Sequence, residues 1–206
     1  MENWEYYLKR LESRQKKNGD SKYRIATPFD RKNNELAVTM ARDAEIWLKF
    51  EVDMFEWFSL ALNKTHIAQQ IRSVVFLGKA SQFDFYVHRQ DGLGVLIETK
   101  KRFNLNHDAY PTTILPVTKA DWLRDEMKEN THIVNWLCLF GYNDWVLMHD
   151  MSRSDYCRDY NKKFVYRNDR HVWADHYEIP ITDCIESGAN EITAAYNILD
   201  YVGHYE

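Results

Sequence analysis

Apolar and polar positions change their period several times along the chain, and each change predicts an element. Over residues 4–14, Trp4, Tyr7, Leu8 and Leu11 fall on one helical face. The Lys/Arg-rich run 15–24 that follows reads as a loop or arm, with Asn18-Gly19-Asp20 as its turn signal. Residues 34–62 carry the clearest helical period. Met40, Ala44, Trp47, Leu48, Glu51, Phe55, Phe58 and Leu62 recur mostly at spacings of three and four, and Phe50, Met54, Trp57 and Ala61 add a second apolar stripe. A helix apolar on two sides is predicted to lie centrally.

The texture then turns to strands. Residues 73–77 form a short apolar run stopped by Gly78. In 83–89, Phe83, Phe85 and Val87 alternate with Asp84, Tyr86 and His88, the period of two of a strand. Gln90-Asp91-Gly92 is a turn, and 95–100 completes a hairpin. A loop with Pro111 and Pro116 follows, then a helix over 119–128 with Thr118 as N-cap and Asp121 at the N3-type position. Residues 134–140 and 145–150 make a second β pair around Gly141-Tyr142-Asn143-Asp144. Residues 151–175 are polar and aromatic without a clean period, and a helix returns at 191–201 after Gly188. The order helix, three strands, helix, two strands, helix predicts an α/β domain with a mixed central sheet. The expected organisation is an N-terminal helix and basic arm over 1–33, then a single α/β domain over 34–206 with a C-terminal helical extension.

Composition supports one folded unit: 206 residues, 45% hydrophobic and 15% aromatic, are enough for a sizeable core and exclude disorder as the main state. Cys138, Cys157 and Cys184 are odd in number and in no metal or redox spacing, so reduced thiols are expected. The N-terminus is polar and acidic, unlike a signal peptide. The longest uncharged apolar-rich stretch, 131–143, is too short to span a bilayer. Together these predict a cytoplasmic protein without a membrane partner.

The net charge of −4 weighs mildly against a protein that coats nucleic acid. It is, however, a sum of opposed patches. Residues 9–24 carry seven Lys or Arg against two acids, and 153–170 carry six against three, while 121–150 carry six acids against two bases. If both basic segments flank the hairpin, DNA binding should depend steeply on salt.

The candidate chemistry lies in that hairpin. Glu98 and Lys100 are two apart and share a face of their strand, and the turn lets Asp84 lie opposite them. Two carboxylates suit a hard divalent ion, Mg²⁺ or Mn²⁺, which polarises a phosphate and lowers the pKa of a bound water. A neighbouring ammonium orients or helps deprotonate that water, or stabilises developing negative charge. Solvent-facing charges on an amphipathic hairpin are the ordinary origin of such a pattern. Here the run Val95-Leu96-Ile97 leads straight into Glu98, at the end of a core strand, and Phe83 and Phe85 frame Asp84 within another apolar strand.

With Asp84 in Phe83-Asp84-Phe85 and with Glu98-Thr99-Lys100, the chain resembles the PD-(D/E)xK nuclease superfamily, of restriction-endonuclease, resolvase and recombination-exonuclease type. The element order matches over roughly residues 35–150; Phe83 stands where the name-giving Pro would be. The resemblance implies a restriction-endonuclease-like mixed sheet flanked by helices, with an α-β-β-β-α-β core. It implies a Mg²⁺- or Mn²⁺-dependent deoxyribonuclease giving 5′-phosphate ends. Asp84 and Glu98 would be metal ligands, Lys100 the catalytic lysine, and the Thr99 carbonyl a further ligand. Many members add a Glu from the first core helix. Glu51 is the candidate, because it falls on an apolar stripe with no cation three or four residues away. Lys101, Arg102 and Lys119 are candidates for holding the nucleic-acid backbone, Lys119 from the first turn of a helix. Many such nucleases act as symmetric dimers, which makes a homodimer the assembly to test.

Alternatives stay open. A non-catalytic DNA- or protein-binding module on the same scaffold could use the aromatic segments 136–145 and 156–177, and RNA shares the phosphodiester chemistry. His88 and His107 flank the hairpin as ordinary surface histidines. A zinc site from His171 and His176 with Cys157 or Cys184 has no motif behind it, and the chain has no P-loop, GxSxG or GxGxxG.

Overall fold

The computed structural model describes residues 24–27, 49–77, 83–102, 104–151, 160–167 and 172–205. In chain order these hold β1 (Arg24–Ala26), α1 (Lys49–Ala61), α2 (Thr65–Ala68), β2 (Ile71–Phe76), β3 (Phe85–Arg89), β4 (Gly94–Lys101), β5 (Thr112–Pro116), α3 (Val117–Glu129), β6 (Ile133–Gly141), β7 (Val146–Asp150), β8 (Lys162–Arg167), β9 (Val172–Pro180), β10 (Ile185–Gly188) and α4 (Glu191–Gly203). The expected helix at 4–14, most of the arm and residues 34–48 lie outside the described residues. Within the segment assigned to the arm, Arg24–Ala26 pairs with β2 and gives the sheet an edge strand.

The central sheet is mixed, with strand order β1-β2-β3-β4-β6-β7-β10. Strands β2, β3 and β4 form an antiparallel meander, and β6 then lies parallel to β4. Parallel neighbours cannot be joined by a tight turn; here the chain crosses over through β5 and α3. A second sheet of order β5-β9-β8 lies apart from the first.

Both faces of the central sheet are buried. On one, α1 and α4 pack over Phe85, Val87, Ile97, Leu137 and Leu139. Phe55 stacks on Phe76 at 5.5 Å, and Phe58 meets Phe85 edge-on at 5.3 Å; aromatic pairs of this kind each add about 0.5–1.5 kcal/mol beyond area burial. On the other face, Leu123 of α3 and Tyr177 and Ile179 of β9 close over Tyr86, Leu96, Trp136, Cys138 and Phe140. Thus Tyr86 and His88, on the polar side of the alternation read in β3, are buried as fully as Phe85 and Val87. The expectation of a surface His88 is corrected: its ring lies inside, stacked beside Tyr86.

Three further expectations change. The loop around Pro111 and Pro116 is in fact strand β5, an edge strand of the second sheet, where proline costs little ladder pairing. The helix that follows starts at Val117 with Pro116 at its N-cap and no side-chain cap, so Thr118 lies within it. The aperiodic stretch beyond 151 contains the antiparallel hairpin β8–β9. The C-terminal helix is as expected and is capped by Asn190, whose side chain accepts from Thr193 N at 2.9 Å. No helix among the described residues is long and apolar enough to cross a membrane.

Gly141, at the end of β6, is where the start of α1 approaches the sheet: a Cβ there would collide with the Phe50 ring. Gly141→Ala should therefore displace Phe50 and cost about 1–3 kcal/mol, as overpacking does, measured as a lowered urea midpoint with an unchanged m-value.

Candidate active site

The site forms where β4 leaves the core. Val95, Leu96 and Ile97 are fully buried, and Glu98 follows them with 1% of its side chain exposed. The β3–β4 register pairs Phe85 with Ile97, so one step further Asp84 comes opposite Glu98. Asp84 is held from both sides: its N–H donates to Ile97 O at 3.0 Å and its carbonyl accepts from Leu77 N at 2.9 Å. Its Oδ2 accepts from Thr99 N at 2.6 Å and from Thr99 Oγ1 at 2.7 Å. The carboxylate is thus aimed by the backbone of the neighbouring strand, and Oδ1 receives neither bond.

Glu98 lies between two ammonium groups. Lys100 Nζ donates to Oε1 and, at 3.0 Å, to the Thr99 carbonyl. Lys119 Nζ, from the first turn of α3, lies 2.8 Å from Oε2. That second contact is an ion pair without the alignment of a hydrogen bond, so Oε2 keeps lone-pair capacity although it is buried. Taking a carboxylate out of water costs several kcal/mol, and the two lysines are what offset it.

The electrostatics tie Glu51 to the same group. Burial, followed by the charges of Asp84 and Glu98, pushes its carboxyl up to about 8 against the pull of Lys100 and Lys119. Burial and Asp84 also raise Glu98, opposed by the same two lysines. For Lys100, burial works against the charged form, but Glu98 and Asp84 outweigh it and hold the ammonium protonated well past its ordinary range. Cys138, level with Glu98 on the adjacent strand, is kept a neutral thiol by burial and by the Glu98 charge.

Of the residues expected at the site, Asp84, Glu98, Lys100 and Glu51 therefore come together, and Lys119 joins them as a partner of Glu98. The Thr99 carbonyl already accepts one bond, from Lys100. Lys101 and Arg102 serve the protein instead. Lys101 donates to Tyr142 O at 3.1 Å and lies over the Phe50 ring. Arg102 donates to Thr113 Oγ1 at 3.1 Å and to Ile114 O, and lies over Phe140.

A divalent ion suits this donor set. Three carboxylates offer hard oxygens, Oε2 of Glu98 lacks an aligned donor, and burial, then the charges of Asp84 and Glu98, drive Glu51 toward its neutral form. The three do not close to a metal-sized cluster around the ammonium groups. Among the described residues the group that does is another: His107, Asp108 and Asp144, whose ligand atoms lie within 4.8 Å of one another. There His107 Nδ1 is 2.8 Å from Asp144 Oδ2. No spacing signal marks that pair, whose members are 37 residues apart. Of the zinc alternative, His176 Nδ1 bonds Ala174 O and Cys184 Sγ contacts Pro180 O, while His171 and Cys157 lie outside the described residues.

No protein-family model matches the chain, and neither a curated protein nor a solved structure does so.

Glu51 gives a pH signature. Its carboxyl is raised on folding, so its contribution to stability is complete below the unfolded value near 4.5 and is lost as pH rises toward about 8. Glu51→Gln removes that loss. In chelator, the variant's melting temperature should gain on the wild type between pH 5 and 8, and the gap should shrink when millimolar Mg²⁺ is added.

Proposed function

We propose that the chain is a metal-dependent deoxyribonuclease of the PD-(D/E)xK type, with α1-β2-β3-β4-α3-β6 as a restriction-endonuclease-like core. The observation that carries this is the convergence of Asp84, Glu51 and Lys100 on the buried Glu98 at the end of β4. Apart from the short α2 and from β5, which belongs to the second sheet, the order helix, three strands, helix, strand around that point supports it.

Asp84, Glu98 and Glu51 would hold Mg²⁺ or Mn²⁺, with the Thr99 carbonyl as a further oxygen. When bound, the ion supplies charge to the scissile phosphate and acidity to its water. The other tasks fall to side chains. Thr99 fixes Asp84 through two bonds to one oxygen. Lys100 is held as an ammonium by Glu98 and Asp84, which makes it a donor: it orients the attacking water or stabilises charge on the phosphate, and does not take up the proton. Lys119 neutralises Glu98 before binding and carries a second positive charge to the phosphate afterward, at the N-terminus of a helix. Water attacks phosphorus and yields a proton to solvent, the P–O3′ bond breaks, and the departing O3′ takes up a proton from solvent, leaving a 5′-phosphate and a 3′-hydroxyl.

DNA is the partner this activity requires, and a homodimer would let two strands be cut. Cys138 and Cys184 are free thiols, which accords with a cytoplasmic setting. A second reading has an observation of its own: both oxygens of Glu98 face ammonium groups, as they would in an inert scaffold that only binds DNA or protein. Calorimetry separates the two, since a scaffold takes up no divalent ion at millimolar Mg²⁺.

Cleavage of single-stranded, duplex and branched DNA with Mg²⁺ or Mn²⁺ should be visible for the wild type. Lys100→Ala and Glu98→Ala should each lower the rate on the order of 10²-fold or more, the scale of losing one charge-stabilising group. Wild-type rates in both variants would remove these residues from the mechanism.

A further inference from the structure

We propose that the free end of the β8–β9 hairpin is a stacking platform for unpaired bases of single-stranded nucleic acid. The proposal takes from the preceding section only the expectation that nucleic acid is the partner.

Period and register define the surface. The β8–β9 pairing places Lys162 beside Tyr177, Phe164 beside Asp175 and Tyr166 beside Trp173, all on one face of the hairpin. At one end that face seals the second core, where Tyr177 and Ile179 are buried. At the other end it runs past the core: Phe164 is 62% exposed, Trp173 59% and Tyr166 41%. Phe164 and Trp173 stack at 5.3 Å with their planes 14° apart, and Tyr166 lies 5.3 Å from Trp173 at 57°. Single exposed apolar side chains are ordinary; a contiguous trio of rings marks an interaction surface.

Charge and chemistry choose the occupant. Lys162 shares the face, with its ammonium over the Tyr177 ring at 5.6 Å, and Lys163 is exposed on the other side of the same strand. Asp175 is the acid on the ring face. The surrounding run 153–170 has six Lys or Arg against three acids. A partner with flat rings and negative charge fits this mixture, as nucleobases on a phosphate backbone do. A second copy of the chain would have to bury those cations in an apolar contact, and interface cores are depleted in charge.

Position links the platform to the site. On β9, His176 pairs with Pro116, three residues before Lys119 reaches Glu98. Trp173 lies three residues further along the same strand, about 10 Å at roughly 3.3 Å per residue. The platform thus follows in sequence and strand direction from the segment that opens the helix of Lys119. Bases within a duplex hide their faces from such a surface, so the platform favours single-stranded substrate.

The test is fluorescence anisotropy in chelator, which separates binding from cleavage, with labelled dT and rU 12-mers and a 12-base-pair duplex. For the wild type, the single strands should bind more tightly than the duplex. Trp173→Ala and Phe164→Ala should each weaken single-strand binding about tenfold, the scale of one base–aromatic stack, with Trp173→Phe restoring most of it and duplex binding unmoved. The proposal is overturned if the alanine variants bind single strands like the wild type, if duplex affinity falls equally, or if the wild type binds no single strand at micromolar concentration. It is also overturned if sedimentation shows a wild-type dimer that Trp173→Ala dissociates, which would give the surface to a second copy. Single-strand binding that needs the rings, in a protein without Mg²⁺-dependent cleavage, would keep the platform and reject the nuclease.

Discussion

A carboxylate with almost no contact with water can persist in its charged form only if opposite charges are delivered to it. Glu98 receives two, and they come from different parts of the chain: Lys100 from its own strand and Lys119 from the helix that crosses to the next one. The placement of α3 is therefore an electrostatic matter as well as one of packing. Leu123 and Ala120 seat the helix on the sheet, but the ion pair sets which end of it faces the end of β4. Removing one partner would strand charge in the interior, which is far costlier than losing a surface ion pair.

The same crowding accounts for Glu51. A third carboxylate brought to this point meets two negative charges already in place, and burial removes the water that would screen them. Its raised proton affinity comes first from burial and then from the charges of Asp84 and Glu98. Such crowding is a cost to the isolated fold, which a multivalent cation at the proposed site would offset.

Much of this was legible in the sequence where the signal was local. The two-residue period in β3 and β4, with a turn between them, fixes Asp84 opposite Glu98, and the apolar stripe around Glu51 marks an acid that needs a partner. What was illegible depended on tertiary placement. Nothing near Lys119 in sequence says that it will reach Glu98, because that follows from the crossover. Pro111 and Pro116 read as breakers, yet the chain between them is the edge strand β5, which ends on Pro116. The β8–β9 hairpin escaped because its large apolar side chains, Phe164, Tyr166 and Trp173, face solvent, so hydrophobic position and burial do not coincide there. Thr118 looks like a cap only until Pro116 is seen to close one element and open the next.

The three residues of β1 carry a geometric consequence. By pairing with β2, they fasten the chain at residue 24 to the sheet three strands away from β4, about 14 Å at roughly 4.8 Å per strand. The cationic residues 9–22 precede that fastening point directly. Arg24 is level with Phe76, the residue before Leu77, whose N–H donates to the Asp84 carbonyl, so the edge strand begins at the same end of the sheet as the carboxylates.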